Sequence, residues 1–326
     1  MALRWAVGLG AGWGICSMHL QNALPFAHRE LPGVTPDTVF LEFRLGPNES
    51  MVDTEALFLR GNPSFGQMAT DAKCSAVRRL CGKWDGPACR DLLFMYVEMD
   101  ADGDGGLWFG PAKSLDGIRA VLEVLNVPIP LGLNEAVAAL RALGVREIRH
   151  VGVMMRGGQS QLRFAVDAPT FPLVSGVIDT TLSDATHSLG LGWYLGTVLS
   201  APGAHAFVQL DIGERVTLDG VDVFDVPLPI LIPATSACFE CDGLKWDAAM
   251  TWINAAPGRS LSHVKIKCDN HAWIAKAYLQ AMDTGAVAVW KTRFIAAERM
   301  AYEYLQAHAR QGDCNAIAWL QSKGAP

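Results

Sequence analysis

Ser262-His-Val-Lys-Ile-Lys-Cys268, followed after a short turn by Trp273-Ile-Ala-Lys-Ala-Tyr-Leu279, decides how this chain is read. In the first stretch His263, Lys265 and Lys267 alternate with Val264, Ile266 and Cys268. Successive side chains of a β-strand point to opposite faces, so this strand has one charged face and one apolar face. Paired strands recur upstream at Phe40 to Leu45 with Ala56 to Arg60, Phe94 to Met99 with Leu107 to Phe109, His150 to Met155 with Gln161 to Asp167, and His205 to Ile212 with Val221 to Val226. Turn chemistry supports the pairing: Asp100-Ala-Asp-Gly-Asp-Gly-Gly106, Arg156-Gly-Gly-Gln159 and Asp219-Gly220 are rich in residues that tolerate positive φ.

Between the hairpins the apolar spacing turns helical, at Ala72 to Leu80, Ile118 to Leu125, Glu135 to Leu143, Ser183 to Leu199 and Trp246 to Ile253, with a last amphipathic helix over Trp290 to His308. The unit of about 50 to 60 residues calls for a closed or stacked architecture. The fold expected is therefore α+β, a ten-stranded antiparallel β-barrel surrounded by helices. If helices cover the outside, the apolar strand faces point outward and the charged faces line a lumen. An open antiparallel sheet with helices on one side gives the same alternation, but it leaves two edges to protect where closure leaves none.

The chain has 326 residues, half of them hydrophobic, enough to bury a large core. Its net charge of −6 argues against a nucleic-acid surface. Met1 to Leu20 resembles a signal peptide only loosely, with glycines, tryptophans and a histidine and without a small-x-small cleavage site, so it is read as a mature N-terminus. No run reaches the ~20 apolar residues of a membrane span, and a soluble, cytoplasmic protein is expected. The 8 cysteines lack regular spacing and suit reduced thiols. Cys238 and Cys241 form one C-x-x-C without the second ligand pair that zinc needs, and are read as a core pair at a helix start.

The inward faces offer Glu42, Arg44, Arg60, Tyr96, Glu98, Trp108, Arg156, Arg163, Gln209, Asp211, His263, Lys265, Lys267, Lys276 and Tyr278. Buried charges are costly unless paired or held for a ligand. So many cations suit a highly charged anion such as a diphosphate, whose oxygens accept bidentate bonds from Arg and point-charge contacts from Lys. The alternative is that Arg163, Lys265 and Lys276 sit in cross-strand ion pairs with Glu98, Asp167 and Asp211.

Other phosphate and metal motifs are absent. There is no G-x-x-x-x-G-K-[ST], and Gly8-Leu-Gly-Ala-Gly-Trp-Gly14 follows no strand. Asp100, Asp102, Asp104 and Gly105 match half an EF-hand loop, but its twelfth position is Pro111. No D-D-x-x-D run is present to hold magnesium, and no G-x-S-x-G elbow supports a hydrolase.

From here the chain resembles the aromatic prenyltransferases of the ABBA, or PT-barrel, class, over roughly Thr38 to Met282. The resemblance implies five αββα repeats closing ten antiparallel strands around a solvent-filled lumen, with residues 1–35 as an N-terminal extension and 36–326 as a single PT-barrel-like domain. Glu42 in Phe40-Leu-Glu-Phe-Arg-Leu45 is similar to the first-strand glutamate that contacts the acceptor, and implies the catalytic group. Arg60, ending Ala56-Leu-Phe-Leu-Arg60, stands where a second-strand arginine binds diphosphate, and Lys276-Ala-Tyr278 looks like a K-x-Y pair with Lys on the diphosphate and Tyr shielding the allyl cation.

Arg163, Lys265 and Lys267 complete the implied diphosphate site, and Tyr278, Trp108, Tyr96, Phe207, Met154 and Gln209 the cation shield and acceptor pocket. Only 5 tyrosines are present, too few for a full tyrosine ring, so Trp108, Phe207, Met154 and Met155 are expected to contribute.

The implied reaction moves an isoprenyl group from dimethylallyl or geranyl diphosphate to an aromatic or peptide acceptor, a modification typical of secondary metabolism. No bound cofactor or metal site is expected, with magnesium as an optional companion of the diphosphate. Replacing Glu42 by Gln or Lys276 by Ala should then abolish transfer and leave folding intact. Two other functions stay open: a non-catalytic barrel that binds a peptide or aromatic metabolite as a biosynthetic accessory, and a dimerisation scaffold whose sheet face pairs with a partner. Whether Arg163, Lys265 and Lys276 converge in one cavity separates the last from the others.

Overall fold

The computed structural model describes residues 34, 36–46, 52–99, 105–112, 114–145, 147–156, 159–168, 185–255, 259–269, 272–281 and 310. The expected extension, the helix over Trp290 to His308, the Gly8 to Gly14 stretch and the Asp100 to Asp104 turn lie outside these residues, as does the side chain of Arg156.

The strands are β1 (Thr38–Arg44), β2 (Val52–Leu59), β3 (Phe94–Met99), β4 (Gly105–Gly110), β5 (Ile148–Arg156), β6 (Gln159–Ala168), β7 (His205–Ile212), β8 (Val216–Phe224), β9 (Arg259–Asp269) and β10 (Ala272–Ala281). Each pairs antiparallel with its sequence neighbours, and β1 closes on β10 to make a sealed barrel. Closure satisfies the backbone of every strand from both sides and leaves no exposed edge.

Seven helices are described: α1 (Ser64–Asp71), α2 (Ser75–Gly82), α3 (Leu115–Leu125), α4 (Leu133–Ala142), α5 (Ala185–Val198), α6 (Leu228–Cys238) and α7 (Gly243–Asn254). They lie between successive hairpins and bury one stripe each against the barrel. Ser114 caps α3 by accepting from Gly117 N at 3.0 Å, and Asn126 ends it in the left-handed conformation at φ 55°. Pro227 is the N-cap of α6 and Pro229 stands in its first turn, where proline is well placed, whereas Pro233 inside the helix removes a hydrogen bond and crowds the carbonyl of Pro229. Cys238 ends α6 and Cys241 stands directly before Asp242, the N-cap of α7, so the C-x-x-C spans the end of one helix and the start of the next.

The two faces of the strands differ as the alternation requires. Phe58, Met95, Phe109, Val153, Phe164, Val208, Val221, Val264 and Ile266 point outward into one hydrophobic layer with helix residues such as Phe65, Leu80, Leu122, Leu133 and Tyr194. Burying such side chains contributes about 1.5–3 kcal/mol each, so the fold is held from outside the barrel. The bore is thereby relieved of that task and can hold polar groups. No helix among the described residues is long and apolar enough to cross a membrane.

Candidate active site

The bore encloses a cavity of about 370 Å³. Arg163, Lys265, Lys267 and Lys276 all line it, and so do Glu42, Gln209, Tyr96, Trp108, Phe207 and Tyr278. This convergence overturns the exposed-sheet scaffold.

Four sequence assignments are corrected. Arg60 follows β2 on its outward side: its guanidinium stacks over Trp84 at 4.8 Å and donates to the carbonyl oxygens of Leu92 and Cys89. The reason is strand parity. Glu55, Leu57 and Leu59 face the cavity while Ala56 and Phe58 face the helices, so position 60 is turned away from any bound anion. Met154 points inward but packs under Trp108 and Phe207 without lining the cavity. Met155 packs against the outer layer. Asp219-Gly220 is no turn; both lie within β8, and residues 213–215 make the bend between β7 and β8.

Asp219 reorganises the electrostatics. The β7–β8 register shifts between Gln209, opposite Gly220, and Leu210, opposite Leu218, leaving Asp219 as the extra residue of a β-bulge. Its carboxylate is buried among three bases: Arg163 Nη2 at 2.7 Å, Lys265 Nζ at 2.8 Å and Lys267 Nζ at 3.9 Å. Arg163 Nε also donates to Asp211 at 2.6 Å, and Lys265 donates to Gln209 Oε1 at 2.6 Å. Gln209 passes the chain on, donating through Nε2 to Asp222. Burial raises the proton affinity of Asp219, but Lys265 and Arg163 outweigh it and hold this carboxyl well below its usual range. The same acids hold Arg163 and Lys265 protonated against their own burial. Gly220 makes the space, since a Cβ there would stand 2.6 Å from Ile266 O and 3.1 Å from Lys265 Cε.

Lys276 and Tyr278 both donate to Glu42, one to each carboxylate oxygen. Glu42 is the cross-strand partner of Tyr278, so the K-x-Y spacing brings ammonium and phenol to one carboxylate. Burial alone would raise the Glu42 pKa; Lys276 and Lys265 reverse this and bring it down to about 2. The ion-pair alternative is thus realised for these bases, with Asp211 as foreseen but with Asp219 and Glu42 in place of Asp167 and Glu98.

Beside the charges runs a belt of rings. Phe40 lies 5.8 Å from Tyr96, Tyr96 5.5 Å from His150, His150 5.4 Å from Phe207, Phe207 4.7 Å from Phe224, Phe224 4.6 Å from His263, and His263 stacks on Tyr278 at 4.1 Å. Trp108 joins through His150 at 6.4 Å, its indole lying over Gly152, where a Cβ would be 2.6 Å from the ring. Phenylalanine and histidine therefore build the belt that tyrosine is too scarce to build. Burial brings His150 and His263 down to about 3, so both rings are neutral at pH 7.

Sequence reasoning missed Glu55, His150, Phe224 and Asp222 as cavity residues. Strict period-2 parity within Val221 to Val226 puts Asp222 and Phe224 on one face, opposite Val221 and Val223. Glu55 lay just before the strand as first drawn.

No family model and no curated protein matches the chain. Among solved structures it is similar to AnaPT from Neosartorya fischeri, an ABBA-type prenyltransferase, at a TM-score of 0.51 and 10% identity, covering 86% of this chain and 91% of that one. The similarity is one of fold: the chain is built as the ten-stranded closed antiparallel PT barrel seen in AnaPT.

Proposed function

We propose that the protein transfers an isoprenyl group from an allylic diphosphate to an N–H, O–H or electron-rich carbon of an aromatic or peptide acceptor. The observation that carries this reading is the layering of the bore: Lys265, Lys267, Lys276 and Arg163 share one cavity with a belt of neutral ring faces. An allylic diphosphate has the same polarity, an anionic head on a hydrocarbon tail. In the step envisaged the allylic C–O bond breaks, its electron pair leaves on the diphosphate, the acceptor atom bonds to the allyl carbon, and the acceptor proton passes to a carboxylate. Fixed cations stabilise the charge developing on the leaving group. Ring faces hold the allyl cation and keep water from it.

Glu42 is the base in this reading, and its contacts give it a condition. Held by Lys276 and Tyr278, it is too weak a base to take a proton. A diphosphate drawing Lys276 to itself removes the main partner that depresses Glu42, and so makes the carboxylate basic only when the donor is in place.

Dimethylallyl and geranyl diphosphates offered with a panel of aromatic and guanidine acceptors, followed by mass and by released diphosphate, test the reading. An isoprenyl mass shift that is lost in Glu42→Gln and falls at least 100-fold in Lys265→Met is expected. Turnover unchanged in both variants overturns the assignment. A second reading, a non-catalytic barrel for a peptide or aromatic metabolite, is favoured by the internal neutralisation of Arg163, Lys265 and Lys276. It predicts binding without release of diphosphate.

A further inference from the structure

The wall of the bore made by β2 and β3 carries charges that the transfer step leaves unused. Glu55 and Glu98 are direct cross-strand partners and both face the cavity. Like charges opposite one another in an antiparallel pair repel. Glu98 accepts one hydrogen bond, from Trp108 Nε1 at 3.1 Å, and Glu55 accepts none among the described residues. The bases lining the same bore pair with other carboxylates: Lys276 with Glu42, Lys265, Arg163 and, more distantly, Lys267 with Asp219, and Arg149 with Glu147.

A second observation points the same way. Asp222 is 3% exposed and lines the cavity, and while Gln209 serves one of its oxygens, Oδ1 is buried with no hydrogen-bond partner among the described residues. Burial, then Glu98 and Glu42, hold the Glu55 carboxyl well above its usual range against the opposing pull of Lys265, and Asp222 adds to the rise from across the bore. Gly106 keeps the position open, since a Cβ there would be 2.9 Å from Glu98 Oε2. An anion is repelled by such a wall, and the spacing does not gather three ligands around one metal ion. A flat or forked cation with several N–H donors suits it, because each donor satisfies an oxygen that nothing else reaches.

We propose that Glu55 and Glu98, with the open oxygen of Asp222, seat a positively charged nitrogen group of the acceptor, a guanidinium or a protonated amine, with the body of the acceptor against Trp108 and Tyr96. The word acceptor rests on the transferase reading; the seat itself is a binding site and stands apart from it.

Calorimetry of the full chain with phenethylguanidine and its neutral isostere phenethylurea, without any diphosphate, tests the seat. The guanidine should bind at least tenfold tighter than the urea. Glu55→Gln should cut guanidine affinity tenfold or more and leave the urea within twofold, and Glu98→Gln, a second variant in case one does not fold, should do likewise. Equal affinities, no binding of either compound, or guanidine affinity unchanged in the variants overturns the seat. Guanidine selectivity without diphosphate release from any allylic donor upholds the seat and removes the transferase. Turnover on neutral aromatic acceptors with no guanidine preference does the reverse.

Discussion

Two walls of one bore treat charge in opposite ways. On β6 to β10 and β1, Arg163, Lys265 and Lys276 each meet a carboxylate at contact distance, and Asp219 serves two of them. On β2 and β3, Glu55 stands opposite Glu98, and neither has an ion-pair partner among the described residues. The first wall is neutralised without a ligand, so a diphosphate has to draw its bases, Lys276 first, away from their carboxylates. The second wall, in the seat proposed above, is neutralised by a positively charged ligand. Buried pairs of the first kind add little net stability compared with hydrocarbon of the same volume, yet removing one partner is strongly destabilising.

The largest effect expected therefore falls on the paired wall. Asp219→Ala removes the carboxylate that Arg163 and Lys265 share, leaving Arg163 to Asp211 and Lys265 to the neutral Gln209, and should destabilise the barrel by about 3–5 kcal/mol, read as a lowered urea midpoint at pH 7. A loss below about 1 kcal/mol would show that the cluster hydrates freely and would erase the difference between the walls. Lys276→Ala follows, at about 3 kcal/mol, because it leaves Glu42 buried and ionised. This revises the expectation that the alanine variant folds unharmed, so its loss of transfer would not by itself identify a diphosphate contact. The pair Glu42→Gln with Lys276→Met should recover most of that stability, since both charges then leave together.

What the sequence could disclose follows from the same contrast. The alternation of β9 and β10 was legible because Lys265, Lys267 and Lys276 mark one face and Val264, Ile266 and Ala277 the other. Strand β2 was not, because Ala56-Leu-Phe-Leu is apolar on both faces; without a polar residue to fix parity, Arg60 was turned inward and Glu55 left out. Asp219-Gly220 carries a short hairpin-turn signal, and only tertiary pairing reveals that the aspartate is a bulge residue serving Arg163 and Lys265. Part of the aromatic belt escaped for a related reason. Tyr96, Trp108, Phe207, His263 and Tyr278 were legible on inward faces, whereas Phe224 follows Val221 and Val223 in a strand that reads as ordinary core, and His150 is a ring face only because burial keeps it neutral.

An intermediate effect is expected where the walls meet the belt. Trp108 donates to Glu98 and rests on Gly152. Gly152→Ala drives a methyl group into the indole and should cost about 1–3 kcal/mol. Near-ultraviolet circular dichroism reads whether Trp108 has moved. Guanidine binding should weaken with it, because Glu98 loses its orienting donor, whereas the Asp219 cluster is untouched. A variant that unfolds like the wild type with an unchanged indole signal would separate Trp108 from the acidic wall.

The smallest effect has the opposite sign. Glu55→Gln removes a carboxyl whose ionised form is penalised first by burial and then by Glu98, and should stabilise the protein at neutral pH. Its pH dependence identifies the cause. A carboxyl whose folded pKa is raised binds more protons in the native state than in the unfolded one, so its presence lowers stability as pH climbs from the unfolded value of 4.5 towards the folded one. Below pH 4.5 the wild type and Glu55→Gln should therefore coincide. Between that point and neutrality the variant should draw ahead. The acid-side losses shared by both proteins, from Glu42 as pH falls from 4.5 towards about 2 and from His150 and His263 as it falls from 6.5 towards about 3, cancel in the comparison. A constant gap at every pH would instead mean that glutamine simply packs better, and the acidic wall would then hold no unmet charge for a ligand to answer.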